Sequence, residues 1–268
     1  MQPSTTFVAT DGAGYEQTMG RWSRRLAPLF LDFIGPAEPA RALDVGCGTG
    51  HLAGALAART RATRIDAIDL AQPYLERARA QYDDPRLAFA AGDACALPFP
   101  DATFDRVLSL LVLHFVPRTQ DAVTEMCRVA TAGAVIGAAV WDIRGGFVAN
   151  RMFFDTAAVL DPAAAARRMK NYTRPLTRPG ELAATWRAAG LHEVTSTALH
   201  VQMEFESFAD YWAPYRGQEG PVAEYVRALA PAARAALEDA VRAAYLDGEP
   251  DGPRAYWATA WAVKGVRP

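Results

Sequence analysis

Residues Ala42–Gly50 read Ala-Leu-Asp-Val-Gly-Cys-Gly-Thr-Gly, an apolar run that meets an acid and then places glycine at three alternate positions. A strand that reverses sharply into a helix needs backbone angles that glycine reaches without strain, and bare backbone where a ligand presses close. Gly46, Gly48 and Gly50 supply both. The Ala- and Leu-rich stretch from His51 to Arg59 reads as the following helix, whose unpaired N–H groups point back into the turn. A pyrophosphate site has the spacing Gly-x-Gly-x-x-Gly, whereas the pattern here is Gly-x-Gly-x-Gly. Asp44, just before the glycines, would repel a phosphate and attract an ammonium group, which favours a cationic or zwitterionic ligand. Cys47, inside the turn, is a small residue that fits under such a ligand, and a purely structural turn is the competing use of the segment.

Two more acids stand where the same site needs them. Thr63–Leu70 alternates like a strand and carries Asp69 near its end, where a carboxylate beside the first strand can accept two ribose hydroxyls. Leu87–Ala94 forms a third strand ending Ala-Gly-Asp-Ala, which brings in Gly92, Asp93 and Ala94. It is followed by Leu97–Asp105, Leu-Pro-Phe-Pro-Asp-Ala-Thr-Phe-Asp, in which Pro98 and Pro100 hold an extended crossing and Asp101 begins a turn.

The glycine turn resembles the first signature of class I S-adenosylmethionine-dependent methyltransferases. The Leu97–Asp105 link resembles that of the ubiquinone/menaquinone-biosynthesis (methyltransferase type 11) kind. The resemblance implies S-adenosylmethionine as cofactor, Asp93 on the adenine amino group and the Ala94 N–H on the ring, with Leu70 and Leu110 completing the set. It also implies that the helical leader, residues 1–35, closes over the methionine end with a tyrosine and a basic residue near the carboxylate. Tyr15 and Arg21 are the candidates, with Arg24 and Arg25 as alternatives to Arg21.

The elements that hold these residues alternate along the chain. Helices read over Tyr15–Ile34, Gln72–Gln81 and Gln120–Ala130, and strands over Arg106–Leu113 and Ala134–Trp141. The near-continuous apolar runs Val107–Val112 and Val135–Val140 suit strands covered on both faces, as parallel sheets require. Val194–Phe205 and Ala255–Val266 close the sheet. The expected fold is therefore α/β: a doubly wound, seven-stranded, mostly parallel sheet in one domain over residues 1–268. Two helical insertions, 143–190 and 207–252, exceed what that fold needs. Both lie on the carboxyl-end side of the sheet and read as a lid over a substrate, with a homodimer surface as the competing use.

A sulfonium methyl needs alignment and exclusion of water more than acid–base help. For a hydroxyl, phenol or acidic carbon, a base is required, and His114, after the fourth strand in Ser-Leu-Leu-Val-Leu-His-Phe-Val-Pro, is the candidate. A backbone hydrogen bond at that turn is its other use. His51 reads as a local cap or surface residue. Trp141 and Asp142, at the end of the fifth strand, are candidates for lining the acceptor site. The lid residues Arg151, Phe153, Phe154, Arg174, Tyr211, Trp212, Tyr215 and Arg216 suit a planar or carboxylated small molecule.

Composition excludes several other functions. A net charge of −2 gives no reason to expect nucleic acid as partner. Cys47, Cys95 and Cys127 are odd in number and far apart, so neither a disulfide framework nor a zinc site is expected and the compartment is read as reducing. No histidine–carboxylate group has metal-ligand spacing, and no apolar run nears membrane-spanning length. A cytoplasmic location and no membrane insertion follow as expectations. Arginine is far commoner than lysine, which is confined to Lys170 and Lys264, and this fits a GC-rich bacterial genome. The expected function is methyl transfer to a small molecule. A cofactor-binding module without turnover and a nicotinamide oxidoreductase are the alternatives, the latter opposed by the glycine spacing and Asp44.

Overall fold

The apolar runs become the interior of a three-layer α/β sandwich. In a computed structural model the described residues are Thr5, 11–36, 39–217 and 220–268; most of the first ten residues of the predicted leader, and 218–219 of the second insertion, lie outside them. The sheet contains β1 (Arg41–Val45), β2 (Arg64–Asp69), β3 (Leu87–Ala91), β4 (Phe104–Leu110), β5 (Ala130–Trp141), β6 (His192–Phe205) and β7 (Arg254–Val266). Their order is β3-β2-β1-β4-β5-β7-β6. β1 to β5 pair in parallel, and β7 lies antiparallel between β5 and β6. The seven-stranded, mostly parallel sheet expected from the sequence is the one observed.

Helices cover both faces. The leader comprises α1 (Gly12–Tyr15), a π-helical segment Glu16–Gly20, and α2 (Arg21–Ile34). Trp22, Leu26, Phe30 and Ile34 fall at helical spacing, and all four are buried against the sheet beside α3 (His51–Arg59). α4 (Gln72–Gln81) follows β2, and α5 (Thr119–Val129) covers the opposite face with α8 (Glu181–Ala188). Trp186 anchors α8 by donating its indole N–H to the Ile136 carbonyl at 2.9 Å.

β4 ends at Leu110, three residues before the expected end. Leu111 still donates to the Ala139 carbonyl, but its φ of +65° turns the chain out of the sheet into a 3-10 turn, Leu113–Phe115. The apolar run continues because Leu113 and its neighbours are buried beneath other elements, not because the strand does. β3 likewise stops at Ala91, after which Asp93 and Ala96 form an isolated bridge.

The first insertion forms α6 (Val148–Leu160) and α7 (Pro162–Tyr172) ahead of α8, and the second forms α9 (Phe208–Arg216), α10 (Gly220–Ala228) and α11 (Pro231–Leu246). β5 pairs with β7 only as far as Ala260, whereas β6 pairs with β7 out to Phe205–Arg254. The last residues of this pair therefore run beyond the carboxyl ends of the parallel strands as a two-stranded ribbon, and they place α9 to α11 on that side.

Candidate functional site

The turn after β1 is built by its glycines. Gly46 has φ +74°, and a Cβ there would lie 2.5 Å from the Val112 side chain, so its bareness serves packing as well as backbone angle. The Gly46 and Cys47 N–H groups both donate to the Ile68 carbonyl at 2.8 Å, tying the turn to β2. Asp44 is fully buried at its floor. Its Oδ2 accepts from the Ala53 N–H at 3.0 Å, while Oδ1 has no partner. Burial pushes its carboxyl up to about 8, and the Asp69 charge adds to the shift. Asp69, at the end of β2, accepts from the Gly48 N–H at 2.9 Å and the Ala71 N–H at 2.8 Å; burial raises its pKa too. The buried Cys47 thiol is likewise pushed up by burial, which disfavours the thiolate.

The leader lies across the turn. The Tyr15 hydroxyl is 3.4 Å from Ser23 Oγ, its ring is 4.7 Å from that of Tyr74, and burial raises its pKa. Arg21 is bound through Nη1 to both oxygens of Asp210 on α9, at 3.0 and 3.1 Å. Arg24 pairs with Glu16, and Arg25 with Glu204. Arg21 and Arg25 thus fasten the leader to its surroundings, while Arg24 braces it internally.

Glu16 is a residue that sequence reasoning missed. It accepts from Thr49 Oγ1 at 2.5 Å and meets His51 Nε2 at 2.9 Å, and His51 Nδ1 meets the Tyr82 hydroxyl at 3.1 Å. Burial works to raise the Glu16 pKa, but the hydrogen bonds from His51 and Thr49 outweigh it and lower it. The π-helical segment makes room: a Cβ at Gly20 would sit 2.5 Å from the Glu16 carboxyl carbon. His51 is therefore a buried bridge between leader and turn rather than a local cap or surface residue.

These residues open onto one cavity of about 540 Å3, within the range of roughly 300–1,000 Å3 usual for small-molecule sites. Tyr15, Arg21, Asp44, Gly46, Cys47, Gly48, Asp69, Leu70, Gly92, Asp93, Ala94 and Leu110 all line it, as do His114 and Trp141. Gly50 and Asp142 do not. Gly50, at φ +89°, packs the start of α3 against Phe89 and Tyr82, and Asp142 accepts from the Gly145 N–H at 2.8 Å to close its own loop. Asp93 accepts from the Cys95 N–H at 2.8 Å and lies 3.7 Å from Arg118.

The far end of the cavity is aromatic. Trp141 donates its indole N–H to Met19 Sδ at 3.2 Å and packs 5.2 Å from Phe147. Phe154, Tyr211 and Tyr215 come from the two insertions, and Met203 and Phe205 from the ribbon. The alternation Val201, Met203, Phe205 was the available signal for the ribbon's contribution. His114 is 2% exposed, with no partner at Nδ1. Burial and then the Arg174 charge hold its pKa down at about 3, so the imidazole is neutral at neutral pH. The Arg174 guanidinium lies 4.3 Å over the Phe115 ring and donates from Nε to Asn171 Oδ1 at 3.1 Å; burial lowers its pKa to about 10. Among the described residues no group of side chains is arranged to hold a metal ion.

Residues 43–137 match a methyltransferase domain family. A demethylmenaquinone methyltransferase from Roseiflexus is 31% identical over 172 residues, 60% of this chain and 71% of that protein. The chain belongs to the class I S-adenosylmethionine-dependent methyltransferases. An uncharacterized Mycobacterium tuberculosis protein is 37% identical over 124 residues, 46% of this chain; the match spans only 44% of that relative's length. The fold is also that of a Haemonchus contortus phosphoethanolamine N-methyltransferase solved with S-adenosylmethionine (TM-score 0.59, 15% identity, 96% of this chain and 56% of that one).

This methyltransferase has a wall suited to the family's cofactor. The partnerless Asp44 oxygen suits the methionine ammonium, and the acids at the ends of β2 and β3 are spaced along the same wall.

Proposed function

We propose that the protein transfers the methyl group of S-adenosylmethionine to a small-molecule acceptor held at the aromatic end of the cavity, beneath the two helical insertions acting as a lid. The observation that carries this reading is the division of one cavity into an acidic wall, with a buried carboxylate oxygen awaiting a partner, and an adjoining aromatic chamber. The Roseiflexus relative's name, a demethylmenaquinone methyltransferase, also favours a small molecule.

In this reading Asp44 holds the ammonium, Asp69 the ribose hydroxyls, and Asp93 with the Ala94 N–H the adenine, while Tyr15 closes the methionine end. The cofactor, when bound, supplies an electrophilic methyl on sulfur. The chain's task is to align the acceptor with that carbon–sulfur bond and to exclude water, and Trp141, Phe147 and Phe154 do the latter. A general base works best with a pKa near the operating pH. His114, held near 3, is neutral at neutral pH and too weak a base to keep a proton taken from the acceptor. Its role is to orient the acceptor through Nδ1, which accepts from a hydroxyl in one tautomer and donates to an oxygen in the other. A cytoplasmic location goes with this reading, and no helix among the described residues is long and apolar enough to cross a membrane.

Calorimetric titration with S-adenosylmethionine and with NAD tests the cofactor; saturable binding of NAD alone would sink the proposal. Transfer of a labelled methyl to a panel of small metabolites separates an enzyme from a binding module.

A further inference from the structure

The leader is held down in two different ways. Along α2, Trp22, Leu26, Phe30 and Ile34 are buried against the sheet, whereas between Gly12 and Gly20 only those two glycines are buried. That stretch nonetheless roofs the cofactor wall, since Tyr15, Thr18 and Met19 line the cavity alongside Asp44 and Asp69. Its strongest hold there is polar. The Glu16 carboxylate, mostly buried, takes the Thr49 hydroxyl on Oε1 and faces His51 Nε2 with both oxygens, at 2.9 and 3.1 Å; Arg24 adds a contact to Oε2 at 3.2 Å. Thr49 stands between Gly48 and Gly50 in the turn and His51 opens α3, so one carboxylate ties the roof to the turn and to the helix after it. The Tyr82 hydroxyl steadies the His51 ring at Nδ1. Tyr15 on Tyr74 and the Trp141 indole N–H on Met19 Sδ are neutral contacts. A segment with no apolar anchor opens far more readily than the core beneath it, and its charge-assisted hydrogen bonds are what resist the opening. All of these bonds join protein groups, so they resist it equally with the cavity filled or empty.

Resting on the methyl-transfer reading above, we propose that residues 12–20 form a gate for the cofactor and that Glu16 is the positioning residue that latches it. Release of Thr49 and His51 lets the strap lift from the turn, S-adenosylmethionine enters, and S-adenosylhomocysteine leaves by the same path. A latch differs kinetically from a ligand contact. Losing a contact speeds departure alone and weakens affinity, whereas loosening a latch speeds entry and departure together and leaves affinity nearly unchanged.

The test is stopped-flow tryptophan fluorescence with S-adenosylhomocysteine, for which Trp22 and Trp141, both lining the cavity, are the reporters. In E16A both the association and the dissociation rate are expected to rise roughly tenfold or more, the scale on which hydrogen bonds to a charged group hold, with the dissociation constant within about threefold of wild type. E16Q, whose amide oxygen still accepts from Thr49 or His51, lies between wild type and E16A in both rates. Should E16A fail to fold, E16Q decides, with a parallel rise of about threefold or more expected. A smaller rise, or a change confined to one of the two rates, overturns the gate alone. A wild-type protein that binds no S-adenosylhomocysteine overturns the methyl-transfer reading, and the gate with it.

Discussion

Replacing Asp44 with asparagine separates the cost of the cofactor floor from its use. Asp44 is fully buried, and its carboxyl is pushed from the ordinary 3.8 up to about 8. In the unfolded chain it ionises from about pH 4 upward, in the folded chain only near 8. Its contribution is thus present in full below pH 4 and is lost as the pH rises through 8. Each pH unit of that gap is worth about 1.4 kcal/mol, so the cofactor-free fold gives up on the order of 5 kcal/mol by pH 8. The asparagine of D44N does not titrate, and its carbonyl keeps the Ala53 bond, but its amide N–H2 takes the partnerless Oδ1 position at roughly 1–3 kcal/mol. D44N without cofactor is therefore expected to be more stable than wild type at pH 8 by roughly 2–4 kcal/mol, and the order reverses as the pH falls, to roughly 1–3 kcal/mol in favour of wild type at pH 4. The same change removes the charge that faces the ammonium, weakening S-adenosylhomocysteine binding by about 2–5 kcal/mol, or 30-fold to several-thousand-fold. Denaturant unfolding from pH 4 to 8.5 and calorimetry at pH 8 read the two effects. A D44N protein less stable than wild type at pH 8, or one with unchanged affinity, refutes the reasoning.

G46A must place a Cβ 2.5 Å from Val112 at φ +74°; thermal unfolding should report a loss of at least about 2 kcal/mol, with cofactor binding weakened alongside. Since His114 is held near 3, the wild-type rate profile is expected to show no ascending limb centred near pH 6.5 that H114Q abolishes, and finding one would restore His114 as a base. R21A breaks the link from leader to α9. Both partners are about a third exposed, so it costs only on the order of 1 kcal/mol, yet it should speed proteolysis within 207–217; unchanged cleavage would argue against the link.

What was legible in the sequence was local. The glycine turn, Asp69 and Asp93 each sit at a strand end that announces itself by apolar alternation or by the turn chemistry after it. α3 and α4 were readable to the residue, because amphipathic spacing and polar ends coincide there. What depended on tertiary packing was not legible. Leu111–Phe115 looks like more strand because a buried loop and a buried strand are equally apolar, and only the backbone angle at Leu111 separates them. Arg21 looked available for a ligand because Asp210 lies 189 residues away in sequence. Glu16 and His51 meet only because a π-helical segment and the bare Gly20 let the carboxylate fold back. Asp142, at a strand end like the other acids, was spent on its own loop.

The central claim is that the partnerless oxygen of Asp44 marks the methionine end of an S-adenosylmethionine site. A crystal structure with S-adenosylhomocysteine tests it most directly. The account predicts the ligand's ammonium within hydrogen-bond distance of Asp44 Oδ1 and the ribose hydroxyls on Asp69. A ligand bound with its ammonium elsewhere, leaving Asp44 Oδ1 still without a partner, would contradict it.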